Sequence, residues 1–131
     1  MFSRLFAPTV TVHAHCDLPC GVYDPAQARV EAESVKAIQE KYQANEDPVF
    51  RARCIVIKEE RAELAKHHLS VLWSDYFKAP HFEKYPQLHQ LFNDTLKAAS
   101  AAKASVDPKT GQELLDKIAE IDKIFWETKK G

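Results

Sequence analysis

Residues 47–77 read DPVFRARCIVIKEERAELAKHHLSVLWSDYF, and this stretch decides the fold class. It begins with Asp47, a strong helix N-cap, followed by a proline that suits the first helical position. Apolar or small residues then recur mostly three or four positions apart, which is typical of a bundle helix with one inward face. The sequence predicts one long helix over residues 48–77, with an inward face formed by Ile55, Ala62, Ala65, Leu69, Leu72 and Tyr76.

The same Asp-Pro start occurs at two other places, residues 24–25 and 107–108. These predict a first helix over residues 25–42 and a last helix after Pro108. We expect the third helix to open at Pro86, because Pro80 should end the second one. Four helices joined by short loops predict an all-α, up-and-down four-helix bundle over residues 24–131. The other inward stripes are predicted as Glu31, Val35, Ile38 and Tyr42; Leu88, Leu91, Phe92, Leu96 and Ala99; and Leu114, Leu115, Ile118, Ile121 and Phe125.

Composition narrows the possible functions. The chain has 131 residues, the length of one domain, with 45% apolar and 28% charged residues. A net charge of −1 lacks the basic excess of a nucleic-acid binder, so we predict no nucleic-acid partner. No apolar run approaches the length of a membrane-spanning helix, so we predict no membrane association. Three glycines in all also disfavour a glycine-rich phosphate loop.

The three cysteines indicate metal or redox chemistry. Cys16 and Cys20 lie four residues apart, whereas Cys54 stands alone in a helical run. An odd count does not predict a secreted disulfide framework, so we expect a reducing, cytoplasmic location. Cys54 is predicted to be a packed thiol. The close pair is left as a candidate for metal ligation or thiol redox work.

Residues 15–25 read HCDLPCGVYDP. Residues 15–23 of this stretch resemble the nickel-binding hook of nickel-containing superoxide dismutases. The resemblance continues through AQARVEAESVKAIQEK (26–41), RAELAKHHLSVLWSDYFKAPHFEKY (61–85) and IDKIFWETKK (121–130), and covers essentially everything after Ala14. It implies a mature chain that begins at His15, with residues 1–14 as a propeptide and residues 15–131 as the enzyme domain.

The hook carries a donor set that suits nickel. If the chain is cut before His15, its free α-amine and the Cys16 backbone nitrogen form a chelate ring, and the Cys16 nitrogen and sulfur form another. The Cys20 sulfur completes a planar N2S2 set, which points to Ni(II) or Cu(II). The imidazole of His15 lies off that plane as an axial ligand, which the resemblance associates with the oxidised metal. We expect one nickel ion per chain.

The leader is therefore predicted to matter for function. While residues 1–14 are attached, the nitrogen of His15 belongs to a peptide bond and is no amine donor. The resemblance implies that a dedicated processing peptidase removes this segment. Because thiolates are the metal-binding form of cysteine, nickel binding should weaken as pH falls.

Further site residues follow from the resemblance. It implies that Glu31 and Arg61 hold the axial histidine from outside the metal's ligand set, whereas the residues alone leave open an ordinary ion pair. It implies that Tyr23 and Tyr76 stand at the entrance of the site, although Tyr76 also suits the core. Asp17 is implied to shape that entrance.

Other residues receive weaker assignments. The resemblance implies a cis bond at Pro19, which the low cis penalty before proline permits. Lys66 and Lys78 are candidates for attracting an anion, although solvated lysines are commoner. We predict no metal role for the remaining histidines of the bundle, which are His67, His68, His81 and His89.

The leading hypothesis is an oxidoreductase that converts two superoxide ions and two protons to dioxygen and hydrogen peroxide. His15, Cys16 and Cys20 are its predicted metal ligands, and Tyr23 joins them as a catalytic residue. The resemblance implies a homohexamer. Two alternatives stay open: a metallochaperone or zinc-storage bundle, and a thiol-disulfide protein that uses the cysteine pair.

Overall fold

A computed structural model of the chain describes residues 20–130, which are almost entirely helical. The helices are α1 (Ala26–Ala44), α2 (Pro48–Val71), α3 (Ala79–Lys84), α4 (Leu88–Ala104) and α5 (Pro108–Lys130), with a π-helical turn at Leu72–Tyr76 directly after α2. Between residues 20 and 130 there is no β-strand, which confirms the all-α class. In the same range, none of the helices has the length and apolar character needed to cross a membrane.

The four long helices form a closed bundle, as predicted. Helix α1 packs on α2, α2 on α4, α4 on α5, and α5 returns to α1. The shared core is apolar, and its largest fully buried apolar side chains are Phe92, Phe125, Leu69, Leu88, Leu114, Ile118 and Ile121. The predicted stripe of the last helix is largely correct, because only Leu115 among its members is half-buried.

The aspartates before the prolines act as predicted. The Asp47 carboxylate accepts a hydrogen bond from the N–H of Phe50 at 3.0 Å, and Asp107 accepts one from the N–H of Lys109 at 3.0 Å. Asp24 accepts one from the N–H of Ala26 at 2.8 Å. Each carboxylate thus satisfies a backbone donor that the first helical turn leaves unpaired.

In the region after α2, the structure differs from the predicted helix end, the predicted role of Pro80 and the predicted start of the next long helix. The α-helix ends at Val71, and its continuation is the π-turn, where the N–H of Phe77 bonds the carbonyl of Leu72 at 3.0 Å. Pro80 lies in the first turn of α3 and does not mark a simple break. Helix α4 then begins at Leu88, two residues later than predicted. A proline both ends a helix and fits the first turn of another, so the position of Pro80 alone did not show whether one helix ended there or a new helix began.

The inward stripes are also corrected. Ile55 is 39% exposed, and its neighbours Cys54 and Lys58 take the buried positions. Cys54 is therefore a packed thiol, as predicted. In α1 the buried positions are Ala28, Ala32, Val35 and Gln39, whereas the predicted Glu31, Ile38 and Tyr42 are half-buried. In α4, Leu96 is also half-buried. The prediction assigned large apolar residues to the inward faces, whereas several of the buried positions are alanines.

Two buried polar side chains donate hydrogen bonds to backbone carbonyls at the C-terminal end of α4. The Lys58 amino group donates to the carbonyls of Ala102 and Lys103, and the Gln39 amide donates to Ala102 at 3.3 Å and to Ser105 at 3.1 Å. A helix end leaves such carbonyls unpaired, and a positive group there also favours the helix dipole. Burial nevertheless lowers the pKa of Lys58 from its ordinary value of 10.5.

Gly111 allows α5 to approach α1 closely. A Cβ at this position would lie 2.9 Å from the Cα of Lys36 and 2.5 Å from Oε1 of Gln39. A methyl group there meets backbone, which does not move aside easily. The glycine that weakens the first turn of α5 is thus required by helix packing.

We expect the Lys58→Met variant to lose about 1–3 kcal/mol of stability, because two helix-end carbonyls lose their donor. The loss should grow as pH rises toward 10.5. The unfolded chain holds the Lys58 proton more tightly than the folded one, so the stability due to this lysine increases with pH. Urea unfolding at several pH values measures it, with Lys97→Met on the exposed face of α4 as control. A loss that shrinks with rising pH would contradict the burial of this amine.

Candidate metal centre

The predicted site residues divide into two groups. Five of them are described, namely Cys20, Tyr23, Glu31, Arg61 and Tyr76. The others lie outside the described residues, namely His15, Cys16, Asp17 and Pro19. The structure therefore locates Cys20, the last cysteine of the hook, and the predicted site residues of the bundle.

Cys20 presents an exposed thiol at the end of a sharp turn. Its sulfur accepts a hydrogen bond from the N–H of Val22 at 3.4 Å, and no disulfide engages it. Gly21 between them has a φ of 73°, a left-handed conformation that glycine adopts at little cost. The exposed sulfur of Cys20 is thus held at the end of the turn by the N–H of Val22.

Glu31 and Arg61 form an ion pair that joins α1 to α2. One guanidinium nitrogen of Arg61 lies 3.2 Å from Oε2 and 3.4 Å from Oε1 of Glu31. Glu31 is the more buried partner, with 17% of its side chain exposed against 36% for Arg61. The predicted pair thus exists, and its burial distinguishes it from the surface pair Arg29–Glu33, in which about half of each side chain is exposed.

The carboxylate of Glu31 also lines a cleft of about 410 Å³, formed with Ala26, Gln27, Val30 and His68. The Nε of Arg61 is buried, and within residues 20–130 it has no hydrogen-bond partner. Buried donors are almost always paired. A carboxylate that faces a cleft, next to an unpaired guanidinium donor, suits a polar group that residues 20–130 do not supply.

These groups fit the metal site that the hook predicts. A histidine that ligates a metal usually donates its second ring N–H to a carboxylate, and Glu31 offers one that an arginine already orients. Cys20 supplies a thiolate sulfur, one of the soft donors expected around nickel. The described residues thus include one predicted ligand, Cys20, and the carboxylate predicted to support another, Glu31.

Tyr23 and Tyr76 are brought together, as the predicted entrance requires. Their ring centroids are 5.6 Å apart at an angle of 58°. Tyr76 lies in the π-turn, and single π-helical turns within helices are frequent at functional sites. The turn places its ring against Phe125 at 4.4 Å and Phe77 at 4.9 Å. Tyr76 therefore packs against the core and also contacts Tyr23, the other residue of the predicted entrance.

Sequence reasoning missed the residues of α5 that contact Tyr76. The hydroxyl of Tyr76 lies 2.7 Å from Oγ1 of Thr128, and the Lys129 ammonium lies 5.1 Å from the centre of its ring. Fifty-two residues separate Tyr76 from Thr128, so no local pattern links them. Only the resemblance of residues 121–130 to the family marked this segment.

The remaining histidines and lysines have other contacts. His81 accepts a hydrogen bond from the backbone N–H of Lys78 at 3.0 Å and stacks on Tyr76. His89 accepts one from the Trp73 indole at 3.0 Å. The rings of His67 and His68 lie edge to face, with centroids 5.4 Å apart. The predicted anion-attracting residues differ: Lys66 donates to the hydroxyl of Ser100 at 3.1 Å, and Lys78 is exposed.

Comparison with known proteins identifies the family. The family model for nickel-containing superoxide dismutase matches residues 10–129. Nickel superoxide dismutases of Streptomyces coelicolor and Streptomyces seoulensis are 79% and 76% identical over 130 residues, covering 99% of each chain. A native nickel superoxide dismutase structure matches with a TM-score of 0.88 and 79% identity, covering 89% of this chain and all of that one. The chain belongs to the family of nickel-containing superoxide dismutases.

Proposed function

We propose that this chain dismutates superoxide at one nickel ion held by the hook, residues 15–23, after residues 1–14 are removed. The ligands are His15, Cys16 and Cys20. The observation that carries the proposal is the cleft lined by the half-buried Glu31, whose carboxylate is fixed by Arg61, together with the exposed, free sulfur of Cys20. Nickel, when bound, supplies the redox step, being reduced by one superoxide and oxidised by the next.

The protein residues have separate tasks in this proposal. Thiolate and deprotonated amide donors are electron-rich and stabilise the higher oxidation state of nickel. Glu31 accepts the ring N–H of His15, and Arg61 orients the carboxylate through its hydrogen bonds. Tyr23 and Tyr76 narrow the entrance and position water or a small anion there. Asp17 shapes that entrance, and Lys78 and Lys129 attract the anionic substrate.

We propose that a processing peptidase exposes His15 before metal is bound. In support, the curated relatives match 99% of this chain, whereas a solved native enzyme, matched over its whole length, covers 89% of it. This difference is what a mature chain shorter by about the length of the leader would give. The free thiols of Cys20 and Cys54 suit a cytoplasmic location, which we also propose.

The first prediction of this proposal concerns the terminal amine. A chain that begins at His15 should bind one nickel ion and consume superoxide, whereas a chain that begins at Ala14 should do neither well. One extra residue turns the His15 amine into an amide and changes almost nothing else. Metal analysis, intact mass and superoxide consumption on the same samples measure this. Nickel content should decrease as the pH is lowered, because the thiolates become protonated.

The same samples distinguish the alternatives. Equal nickel loading and activity in the Ala14 chain would contradict the proposal. A strong preference for zinc without turnover would instead support a storage bundle. Activity that survives in metal-free protein would support a dithiol mechanism based on Cys16 and Cys20.

The second prediction concerns the pair that supports His15. We expect Glu31→Gln to lower nickel affinity or activity about 10- to 100-fold, because the amide neither carries charge nor holds the imidazole as firmly. Glu33→Gln is the matched control: it lies two residues away on α1 and breaks the exposed pair with Arg29. The control should stay near wild type. Equal effects of the two substitutions would mean that Glu31 only forms an ordinary ion pair with Arg61 and does not support His15.

We also propose that the enzyme works as a homohexamer. The first half of α2 supports this with an exposed apolar surface, on which Val49 is 70% and Val56 57% exposed. Next to it, Ala52, Arg53, Val56 and Ile57 line a cleft of about 330 Å³. Exposed apolar patches of this kind often mark sites of protein association.

The third prediction tests this surface. Val56→Glu should dissociate the oligomer into smaller species, because a buried, unpaired carboxylate is costly in an apolar interface. Ala119→Glu, at an exposed position of α5, is the control and should leave the assembly intact. Size-exclusion chromatography with light scattering gives the masses. A wild-type monomer would overturn the hexamer, and an intact Val56→Glu hexamer would exclude this surface.

A further inference from the structure

The hydroxyl of Tyr76 takes part in a short hydrogen-bond chain to the backbone of α5. Its oxygen lies 2.7 Å from Oγ1 of Thr128, and that Oγ1 lies 2.6 Å from the carbonyl oxygen of Phe125. All three groups are at least partly buried, because Tyr76 and Thr128 are half-buried and Phe125 fully buried. The chain therefore lies largely within the protein.

The chemistry of the three groups fixes the direction of these bonds. A carbonyl oxygen only accepts, so the single hydroxyl proton of Thr128 lies on the bond to Phe125. The Thr128 oxygen then accepts the other bond, and Tyr76 is its donor. The phenolic proton of Tyr76 points at Thr128, and only lone pairs of its oxygen face other groups.

We propose that Thr128 is a positioning residue of the enzyme, which directs the phenolic proton of Tyr76 away from the entrance and leaves Tyr76 there as a hydrogen-bond acceptor. This inference rests on the entrance role proposed for Tyr76. Superoxide is an anion that only accepts hydrogen bonds, so the resting Tyr76 does not retain it. Water and hydrogen peroxide donate hydrogen bonds, and the Tyr76 oxygen suits them.

The packing around Tyr76 restricts the alternatives. The ring contacts Phe125 on α5, Tyr23 at the end of the hook, and His81 on α3, whose ring is stacked parallel at 5.8 Å. The Lys129 ammonium over the same ring adds a cation–π contact. With the ring held on these sides, rotation of the hydroxyl is the freedom that remains, and Thr128 removes it.

The test compares three variants with wild type: Thr128→Val, which keeps the shape and removes the hydroxyl, Thr128→Ser, which restores it, and Tyr76→Phe. In the full, metal-free chain labelled with [13Cζ]tyrosine, Tyr76→Phe assigns the Tyr76 signal. We expect Thr128→Val to shift that signal and Thr128→Ser to leave it near the wild-type position. An unshifted signal in Thr128→Val, or an equal shift in Thr128→Ser, would overturn the proposal.

The nickel-loaded, processed enzyme gives the functional readout, with azide as an anion that only accepts hydrogen bonds. Thr128→Val frees the phenolic proton, so azide should inhibit at a concentration about tenfold lower, and Thr128→Ser should behave as wild type. The effect of Thr128→Val should vanish in the Tyr76→Phe background, because Thr128 acts through that hydroxyl. Azide inhibition that tightens equally in both backgrounds would overturn the proposal.

The two readouts separate this inference from the proposed function. The tyrosine signal is measured without nickel, on the unprocessed chain, and does not depend on superoxide chemistry. If all variants including wild type lack dismutase activity, the proposed function fails, and the tyrosine signal still decides whether Thr128 orients Tyr76. Urea unfolding of Thr128→Val and Thr128→Ser shows whether lost stability contributes to either effect.

Discussion

Close packing of α1 on α2 is the constraint from which the rest of the site follows. Both helices carry completely buried alanines, Ala28 and Ala32 on one helix and Ala62 and Ala65 on the other. Small side chains let the two backbones approach, and at this distance Arg61 reaches Glu31 across the interface. We expect larger residues at these positions to separate Arg61 from Glu31 before they unfold the bundle.

The second determinant is the π-turn at the end of α2. It ends the helix with one wider turn, which places Tyr76 against Tyr23 on one side and against α5 on the other. The aromatic cluster that results is continuous with the core through Phe77, Phe92 and Phe125. The two tyrosines of the predicted entrance are therefore packed against the aromatic core.

This arrangement divides the work between the hook and the bundle. In our proposal the hook provides the atoms that bind nickel, and the bundle provides the carboxylate, the arginine and the tyrosines that orient those atoms and the substrate. The exposed sulfur of Cys20 and its bond from Val22 lie where the two parts meet. In the same proposal a terminal amine completes the ligand set, so that one proteolytic cut converts a folded scaffold into an enzyme.

The sequence by itself determined the all-α class and the three helix starts at Asp-Pro, because caps are local, and the specific hook motif marked Glu31, Arg61, Tyr23 and Tyr76 as predicted site residues. It misplaced Ile55 and Pro80, since periodicity does not tell an alanine face from a leucine face, nor a broken helix from a restarted one. The tertiary structure alone decided that Lys58 and Gln39 are buried at the end of α4 and that Thr128 holds Tyr76. These contacts join residues more than forty positions apart, and helix packing, which depends on all the side chains at once, sets such distances.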